Sequence, residues 1–211
     1  MASYSINIGT ENIDQDSDIV IIDTLRASST IVTALANGVE EVIPIDKKEN
    51  ALELKKKGYT LVGERMGAKR PKYDIGNSPI NLLEYIKKSK IKKLALKTTN
   101  TTETLNKIKN AVICSSLNLT AVRDALRGRN AVFLAIGSRH GTTEDLAVAF
   151  ALYANLNDGL EINSEFLKKC IIGSNAAKHL TKLGYKKDIE FICQIDKYTV
   201  VPVLKNGIIQ V

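Results

Sequence analysis

A strand, a turn and a helix are predicted by the stretch Asp18-Ile-Val-Ile-Ile-Asp23-Thr-Leu-Arg26-Ala-Ser28-Ser29-Thr30, which continues as Ile-Val-Thr-Ala-Leu-Ala-Asn37-Gly38. Ile19 to Ile22 is an unbroken run of β-branched residues, which is typical of a strand buried on both faces. Ser28 to Thr30 offer N-caps for a short helix, and Gly38 suits a left-handed residue after its last turn. The stretch therefore predicts the strand–helix unit of an α/β protein.

The turn inside this unit presents a carboxylate (Asp23), a guanidinium (Arg26) and the hydroxyls of Ser28 and Ser29 at the end of the strand. Open α/β sheets bind anionic ligands there, because the carboxyl end of a strand faces the free N–H groups of the next helix. The alternative is that Asp23 and the serines only cap the helix.

Strand and helix patterns alternate along the rest of the chain. Further strands are predicted at 4–8, 41–45, 59–62, 93–97, 111–114, 131–136, 190–193, 198–204 and 208–211. Helices are predicted at 49–57, from Pro79 to Lys88, at 103–109, up to Arg127, up to Leu156 and up to Lys182. Asn206-Gly207 is a strong hairpin turn. We expect one domain over residues 1–211 with a three-layer α/β/α fold, a largely parallel or mixed central sheet and a small C-terminal antiparallel hairpin.

Composition limits the function classes. None of the 211 residues lies in an apolar run of membrane-spanning length, and we expect no signal peptide before Met1-Ala-Ser-Tyr. The three cysteines are scattered, which favours a reducing cytoplasm over a disulfide framework or a zinc site. The net charge is +7, but aromatic residues make up 5% and Trp is absent, so we expect no nucleic-acid partner. Lysines near helix ends and a field that attracts small anions explain the charge.

Polar clusters follow five predicted strands, around Asp23, Glu64, Thr98, Ser115 and Ser138. In a parallel sheet these ends would meet at one crevice. Chance helix capping explains two or three such clusters, whereas five indicate a site.

The residue types in these clusters suit phosphoryl chemistry. Arg26 and Arg65 can bind phosphate oxygens through paired N–H groups. Mg²⁺ prefers hard oxygen ligands, which are available from Asp23, Glu64, Asp74, Glu144 and Asp145. Each acid has a structural alternative: Glu144 and Asp145 complement a helix dipole, Thr142 with Asp145 resembles a capping box, and Asp74 shapes a turn.

Several familiar phosphatase motifs are missing. Asp23-Thr-Leu25 lacks the second Asp of a DxDxT loop, Cys114 does not begin a C-x5-R loop, and no GxxxxGK[ST] loop occurs. Arg139-His140-Gly141 matches the RHG triplet of histidine phosphatases. That motif normally opens its fold and needs a second histidine, and His179 is the only other one in the sequence.

An ordered set of short motifs resembles the magnesium-dependent 2-phosphosulfolactate phosphatases of the coenzyme M pathway. These motifs are Asp23-Thr-Leu-Arg-Ala-Ser-Ser-Thr30, Gly63-Glu-Arg-Met-Gly67, Tyr73-Asp-Ile-Gly-Asn-Ser-Pro79, Thr98-Thr-Asn100, Ser116-Leu-Asn118 and Glu144-Asp145. The resemblance implies an α/β/α fold and Mg²⁺-dependent hydrolysis of a phosphate ester that also bears a carboxylate and a sulfonate. A homodimer is expected by the same analogy.

The predicted site follows from both lines of reasoning. We predict as catalytic Asp23, Arg26, Glu64, Arg65, Glu144 and Asp145, and as metal ligands Asp23, Glu64 and Asp145. We predict as substrate-binding Ser28, Ser29, Asn77, Ser78, Thr98, Thr99, Asn100, Asn118 and Arg139.

Two departures from the family pattern concern the substrate. Thr101 stands where the family usually has Gly, and a β-branched residue tolerates positive φ poorly, so we expect a different loop shape. Arg139 and His140 add a cation and an imidazole near the crevice. The alternatives are therefore a phosphatase for another phosphorylated hydroxy acid, or a non-catalytic protein that binds small anions.

Overall fold

The computed structural model describes residues 2–9, 17–45 and 51–211. Its strands are β1 (Tyr4–Ile8), β2 (Asp18–Ile22), β3 (Glu41–Pro44), β4 (Tyr59–Arg65), β5 (Ala68–Lys69), β6 (Lys93–Lys97), β7 (Asn110–Cys114), β8 (Ala131–Ala135), β9 (Val203–Lys205) and β10 (Ile208–Gln210). Its helices are α1 (Ala27–Ala36), α2 (Ala51–Lys56), α3 (Pro79–Ser89), α4 (Thr101–Lys107), α5 (Leu119–Leu126), α6 (Thr143–Asp158), α7 (Ser164–Gly173), α8 (Asn175–Lys182) and α9 (Lys186–Ile192). A short 3₁₀ turn, Ser116–Asn118, precedes α5.

The described strands form one mixed sheet in the order β1-β8-β2-β7-β9-β10-β3-β6-β4-β5. A first group of parallel strands consists of β1, β8, β2 and β7, and a second group consists of β3, β6 and β4. The hairpin β9–β10 lies between them and pairs antiparallel with β7 on one side and with β3 on the other. Because these are three successive antiparallel pairings, the two groups run in opposite senses along the sheet.

Helices cover both faces of the sheet, as the three-layer prediction requires. In β2, Ile19 and Ile21 join a core with α1 and α3 on one face, while Val20 and Ile22 join a core with α5 and α6 on the other. Both faces of β2 are therefore buried, as the β-branched run predicts. The predicted fold class is confirmed, and strands from both ends of the chain lie in the same sheet; the assignment of residues 1–211 to one domain stays a prediction.

Some local predictions are wrong. Residues 190–193 are not a strand: Glu190 to Ile192 end α9, where Phe191 and Ile192 pack in an apolar cluster with Val32 and Leu117. The predicted strand 198–204 shrinks to Val203–Lys205, although the Asn206-Gly207 hairpin is confirmed. The predicted helix 49–57 is observed from Ala51, and its first two residues lie outside the described ranges.

The N-cap prediction for α1 is also wrong. The helix begins at Ala27 with Arg26 in the cap position, so Ser28 and Ser29 lie inside its first turn. No helix in the described part of the chain combines the length and the apolar character that crossing a membrane requires.

Candidate active site

A pocket of about 130 Å³ lies where the carboxyl ends of the two strand groups meet. The two groups contact each other directly there. Asn100, after β6, donates its side-chain N–H to the carbonyl of Gly137, after β8, at 3.1 Å. Thr101, the first residue of α4, donates its hydroxyl to Oδ2 of Asp23, after β2. The strand ends therefore converge across a junction between two groups, not along one edge of a parallel sheet.

Four acids form the floor of this pocket: Asp23, Glu64, Glu144 and Asp145. All four are buried, with exposed fractions between 2% and 8%. Their burial without four matching cations is costly unless hydrogen bonds, protons or a bound cation compensate for it.

Two of the floor acids fasten neighbouring loops through backbone N–H groups. Glu64 accepts from the N–H of Thr99 at 2.5 Å with one oxygen and from the N–H of Gly67 at 2.6 Å with the other. Asp145 accepts from the N–H of Thr24 at 2.7 Å and from that of Gly137 at 2.8 Å. Both carboxylates thus position the loops that close the pocket.

Thr142 and Asp145 do not form the capping box that the sequence offers as an alternative. Thr142 occupies the N-cap of α6 without a side-chain capping bond, and the carboxylate of Asp145 reaches loops after two strands.

Three of the floor acids, Asp23, Glu144 and Asp145, have raised pKa values. Burial raises the pKa of Asp23 to about 6, with a contribution from Glu64, although the Thr101 hydroxyl and the Ala27 N–H act against it. Burial raises the pKa of Glu144 to about 7, and the charge of Asp23 adds to this. The pKa of Asp145 is raised well above its ordinary value by burial and then by the charges of Asp23 and Glu144. The three acids therefore repel each other when ionised.

Arg26 lines the pocket but is already paired. Its Nη1 lies 2.8 Å from Oδ2 of Asp188, its Nη2 donates to the carbonyl of Gly67 at 2.7 Å, and its Cζ lies 4.2 Å from the ring centre of Tyr185. Asp188 in turn accepts from the Ser78 hydroxyl at 2.7 Å. The Arg26–Asp188 pair thus ties the turn after β2 to α9 and to the start of α3.

Four further predicted residues line the pocket: Asn77, Thr98, Thr99 and Asn100. Thr99 accepts from the N–H of Met66 at 3.1 Å, and Thr98 accepts from the N–H of Thr102 at the same distance. Asn77 is 3% exposed, and its Oδ1 has no hydrogen-bond partner among the described residues. A buried acceptor of this kind requires a ligand, a cation or a water molecule.

Arg139 also lines this pocket, whereas the other predicted residues lie outside it. Ser28 and Ser29 are fully buried and donate to the carbonyls of Ile21 and Thr24. Ser78 caps α3, and Arg65 is exposed in a neighbouring groove.

Ser115, Asn118 and Asp74 are also used elsewhere. Ser115 and Asn118 form the capping box of the 3₁₀ turn, and the Asn118 amide also donates to the carbonyls of Ile113 and Val200. Asp74 pairs with Lys55 at 2.7 Å and accepts from the N–H of Leu61. The structure therefore gathers four of the five predicted strand ends.

The mouth of the pocket is lined by what we call the basic rim: Arg139 and His140 in the loop before α6, and His179 on α8. The two imidazole rings stack with their centres 4.2 Å apart. The Nε of Arg139 donates to Nε2 of His140 at 3.2 Å, and Nε2 of His179 lies 3.1 Å from the carbonyl oxygen of Met66.

Sequence reasoning missed two contacts. The first is the hydrogen bond from the Thr101 hydroxyl to Asp23. In the sequence, Thr101 is identified only as a departure from the family pattern. Its φ is not positive, so the β-branched side chain is not strained there. Asp188 pairs with Arg26 across 162 positions of the sequence, and no local motif indicates such a long-range pair.

The donor atoms of the pocket decide whether it suits Mg²⁺, which prefers hard oxygen ligands. In the described ranges no three Asp, Glu, His or Cys side chains converge into a ready-made metal cluster. Mg²⁺ however commonly takes one or two carboxylates and fills its other positions with water and substrate phosphate. Asp23 and the unpartnered Oδ1 of Asn77 are hard oxygen donors in one pocket, so the residues present fit this ion.

Comparison with known proteins assigns the class of this α/β protein: it is a phosphoric monoester hydrolase. The model of the 2-phosphosulpholactate phosphatase family matches residues 7–207, and the chain belongs to that family.

Similar proteins cover nearly the whole chain. A protein of Thermotoga maritima named probable 2-phosphosulfolactate phosphatase is 40% identical over 210 residues, which cover 90% of this chain and 89% of that protein. A protein of Methanothermobacter thermautotrophicus named 2-phosphosulfolactate phosphatase is 31% identical over 206 residues, which cover 90% and 88%.

Proposed function

We propose that the chain is a Mg²⁺-dependent phosphatase that hydrolyses 2-phosphosulfolactate to sulfolactate and phosphate. The observation that carries the proposal is the floor of four buried acids in a pocket of this family member. Acids on the floor serve a hydrolase, because water must be oriented and a proton must reach the leaving oxygen. A protein that only binds anions gains nothing from four carboxylates there.

The reaction breaks the bond between phosphorus and the 2-oxygen of the substrate and forms a bond between phosphorus and the oxygen of water. One proton leaves the water and one reaches the 2-oxygen. We assign the latter transfer to Glu144, because burial raises its pKa to about 7 and it can therefore carry a proton near neutral pH. Both oxygens of Glu64 and of Asp145 accept from backbone N–H groups that hold the loops.

Asp23 and the amide oxygen of Asn77 are the residues that would hold Mg²⁺. When bound, the ion supplies positive charge that neutralises the transferring phosphoryl group. Thr101 and the N–H of Ala27 hold the Asp23 carboxylate in place at the end of β2. Glu64 and Asp145 keep the surrounding loops closed and position the pocket walls.

The test is phosphate release from 2-phosphosulfolactate and from phosphorylated hydroxy acids, measured with Mg²⁺ and with EDTA. The proposal expects release from 2-phosphosulfolactate that stops in EDTA. Equal rates in Mg²⁺ and EDTA would contradict the role of the ion. Release from another ester alone would contradict the substrate, and no release from a folded protein would contradict the activity.

The cytoplasmic location and the homodimer stay predictions. Sedimentation of the protein over a range of concentrations measures the oligomeric state directly.

A further inference from the structure

The charged residues that line the pocket are unevenly distributed. The floor carries four acids, and Arg26 beside them is neutralised by Asp188. Among the described residues, Arg139 is the arginine of this pocket that has no carboxylate within 4.0 Å. Arg65, the other arginine of the predicted site, lies in the neighbouring groove with Arg70. Within the described ranges, an acidic group of a ligand in this pocket therefore finds an unpaired arginine only at the mouth.

The basic rim is also held in a defined shape. Since a carbonyl oxygen only accepts, Nε2 of His179 carries the hydrogen of its contact with Met66. His140 accepts from Arg139 through its Nε2, so its hydrogen lies on Nδ1 when the ring is neutral. Neither Nδ1 has a hydrogen-bond partner in the described part of the chain. The rim thus joins the loop before α6, helix α8 and the turn after β4.

The surroundings of His140 lower the pKa of its imidazole. Burial lowers this pKa, and His179 and Arg139 lower it further. Two stacked imidazoles beside a guanidinium disfavour additional positive charge, and an anion seated among them relieves this.

We propose that Arg139, His140 and His179 form a subsite for the second acidic group of the substrate. The class of substrate is then a phosphate monoester that carries a carboxylate or sulfonate a few bonds from the ester oxygen. This inference rests on the proposed function, since it assumes that the phosphate lies over the floor. The rim selects such esters over simple phosphate monoesters.

The expected preference has a physical basis. A guanidinium donates paired hydrogen bonds to carboxylate or sulfonate oxygens, and the imidazole N–H groups add further donors. A hydrogen bond to a charged group contributes about 1.5–3 kcal/mol, which corresponds to about 10- to 150-fold in affinity. The backbone N–H groups that hold Glu64 and Asp145 belong to other residues than those of the rim. Loss of a rim side chain should therefore affect binding of the acidic group more than bond cleavage.

The test compares kcat and KM for 2-phosphosulfolactate and for p-nitrophenyl phosphate, which has no second acidic group. Arg139→Gln should raise KM for 2-phosphosulfolactate about 10-fold or more and leave both constants for p-nitrophenyl phosphate nearly unchanged. Arg139→Lys should recover part of the loss, and His140→Gln should raise the same KM by a smaller factor. The matched control is Arg127→Gln, at an exposed arginine after α5. It should leave kcat and KM unchanged for both substrates.

A binding measurement separates failure of this inference from failure of the proposed function. Calorimetry with sulfolactate alone needs no turnover, and Arg139→Gln should weaken its binding about 10-fold. An equal rise of KM for both substrates, or sulfolactate affinity unaffected by Arg139→Gln, would overturn the subsite. Failure of the wild-type protein to bind sulfolactate would overturn it as well. Loss of phosphatase activity with intact, Arg139-dependent sulfolactate binding would overturn the proposed reaction but retain the subsite.

Discussion

The floor and the basic rim of the pocket are built in different ways. The four floor acids are buried, and backbone N–H groups from several loops hold Glu64 and Asp145. The rim consists of an exposed arginine and two partly buried histidines, which mainly contact each other and one carbonyl. The floor is therefore part of the fold, whereas the rim is a set of side chains placed upon it.

This difference has a consequence for how the pocket can change. A substitution that removes the carboxylate of Glu64 or Asp145 leaves backbone N–H groups unpaired, which is costly to folding. A substitution at the rim removes side-chain contacts near solvent, where the cost to folding is small. Chemistry should thus depend on the floor, and the choice of substrate on the rim.

Asp23→Asn is the largest expected perturbation of the floor. It keeps the shape of the side chain but removes the negative charge that the proposed Mg²⁺ site would use, so phosphate release should fall by about 1,000-fold or more. The melting temperature should change little, because the buried charge is lost together with its burial penalty. Phosphate release and a thermal melt measure both effects.

The matched control for this variant is Asp158→Asn at the exposed end of α6. It should retain full activity. Turnover by Asp23→Asn close to that of the control would remove Asp23 from the mechanism.

Asp188→Asn tests whether the wall beside the floor depends on a buried ion pair. Both side chains of the Arg26–Asp188 pair are 2% exposed, so removing one charge leaves the other buried and unpaired. Such a loss costs about 3–5 kcal/mol of folding free energy, which urea unfolding measures.

The exposed Lys168–Glu165 pair supplies the comparison. Glu165→Gln should cost less than about 1 kcal/mol, since one partner is largely exposed and solvent screens the pair. Equal costs for the two variants would show that Arg26 does not depend on Asp188.

The charge of the floor predicts how stability depends on pH in EDTA. The raised pKa values of Asp23 (about 6) and Glu144 (about 7) mean that the folded state binds protons more tightly than the unfolded state. Their contribution to stability is fully present below the ordinary carboxyl pKa and is lost as pH rises through 6 and 7. The melting temperature in EDTA should therefore fall between pH 5.5 and pH 7.5.

Glu144→Gln should reduce this fall, because glutamine resembles the protonated acid and has no proton to lose. Glu161→Gln, at an exposed position after α6, should leave the fall unchanged. If the melting temperatures of the wild type and of Glu144→Gln both rise between pH 5.5 and pH 7.5, the repulsion among the floor acids is contradicted.

The floor was predictable from sequence because its residues follow strands. Asp23, Glu64 and the Glu144-Asp145 pair come at or soon after β-branched or apolar runs, and a strand end is recognisable locally. The sense of the sheet was not predictable, since the β9–β10 hairpin between the two groups depends on pairings between distant segments. Ser115 had the correct pattern, but its side chain caps the 3₁₀ turn and lies outside the pocket.

The rim and its supports were only partly predictable. Arg139 and His140 follow a strand, so the sequence places them near the crevice. His179 contacts His140 from α8 through tertiary packing, which no local pattern indicates. The strand prediction for residues 190–193 was wrong because an apolar run of that length suits a short buried helix equally well.

Thr101→Val gives the smallest expected effect. It tests whether the hydrogen bond from Thr101 to Asp23 contributes to activity. Valine keeps the shape of threonine but cannot donate to Asp23, so the pKa of Asp23 should rise, because the lost hydrogen bond lowers it. We expect kcat to fall about 10-fold at neutral pH, which corresponds to one hydrogen bond to a charged group. Thr101→Ser keeps the hydroxyl and should retain most of the activity. If the valine and serine variants lower kcat equally, the packing of the Thr101 methyl group matters and its hydroxyl does not. Thr101 then has a structural role only.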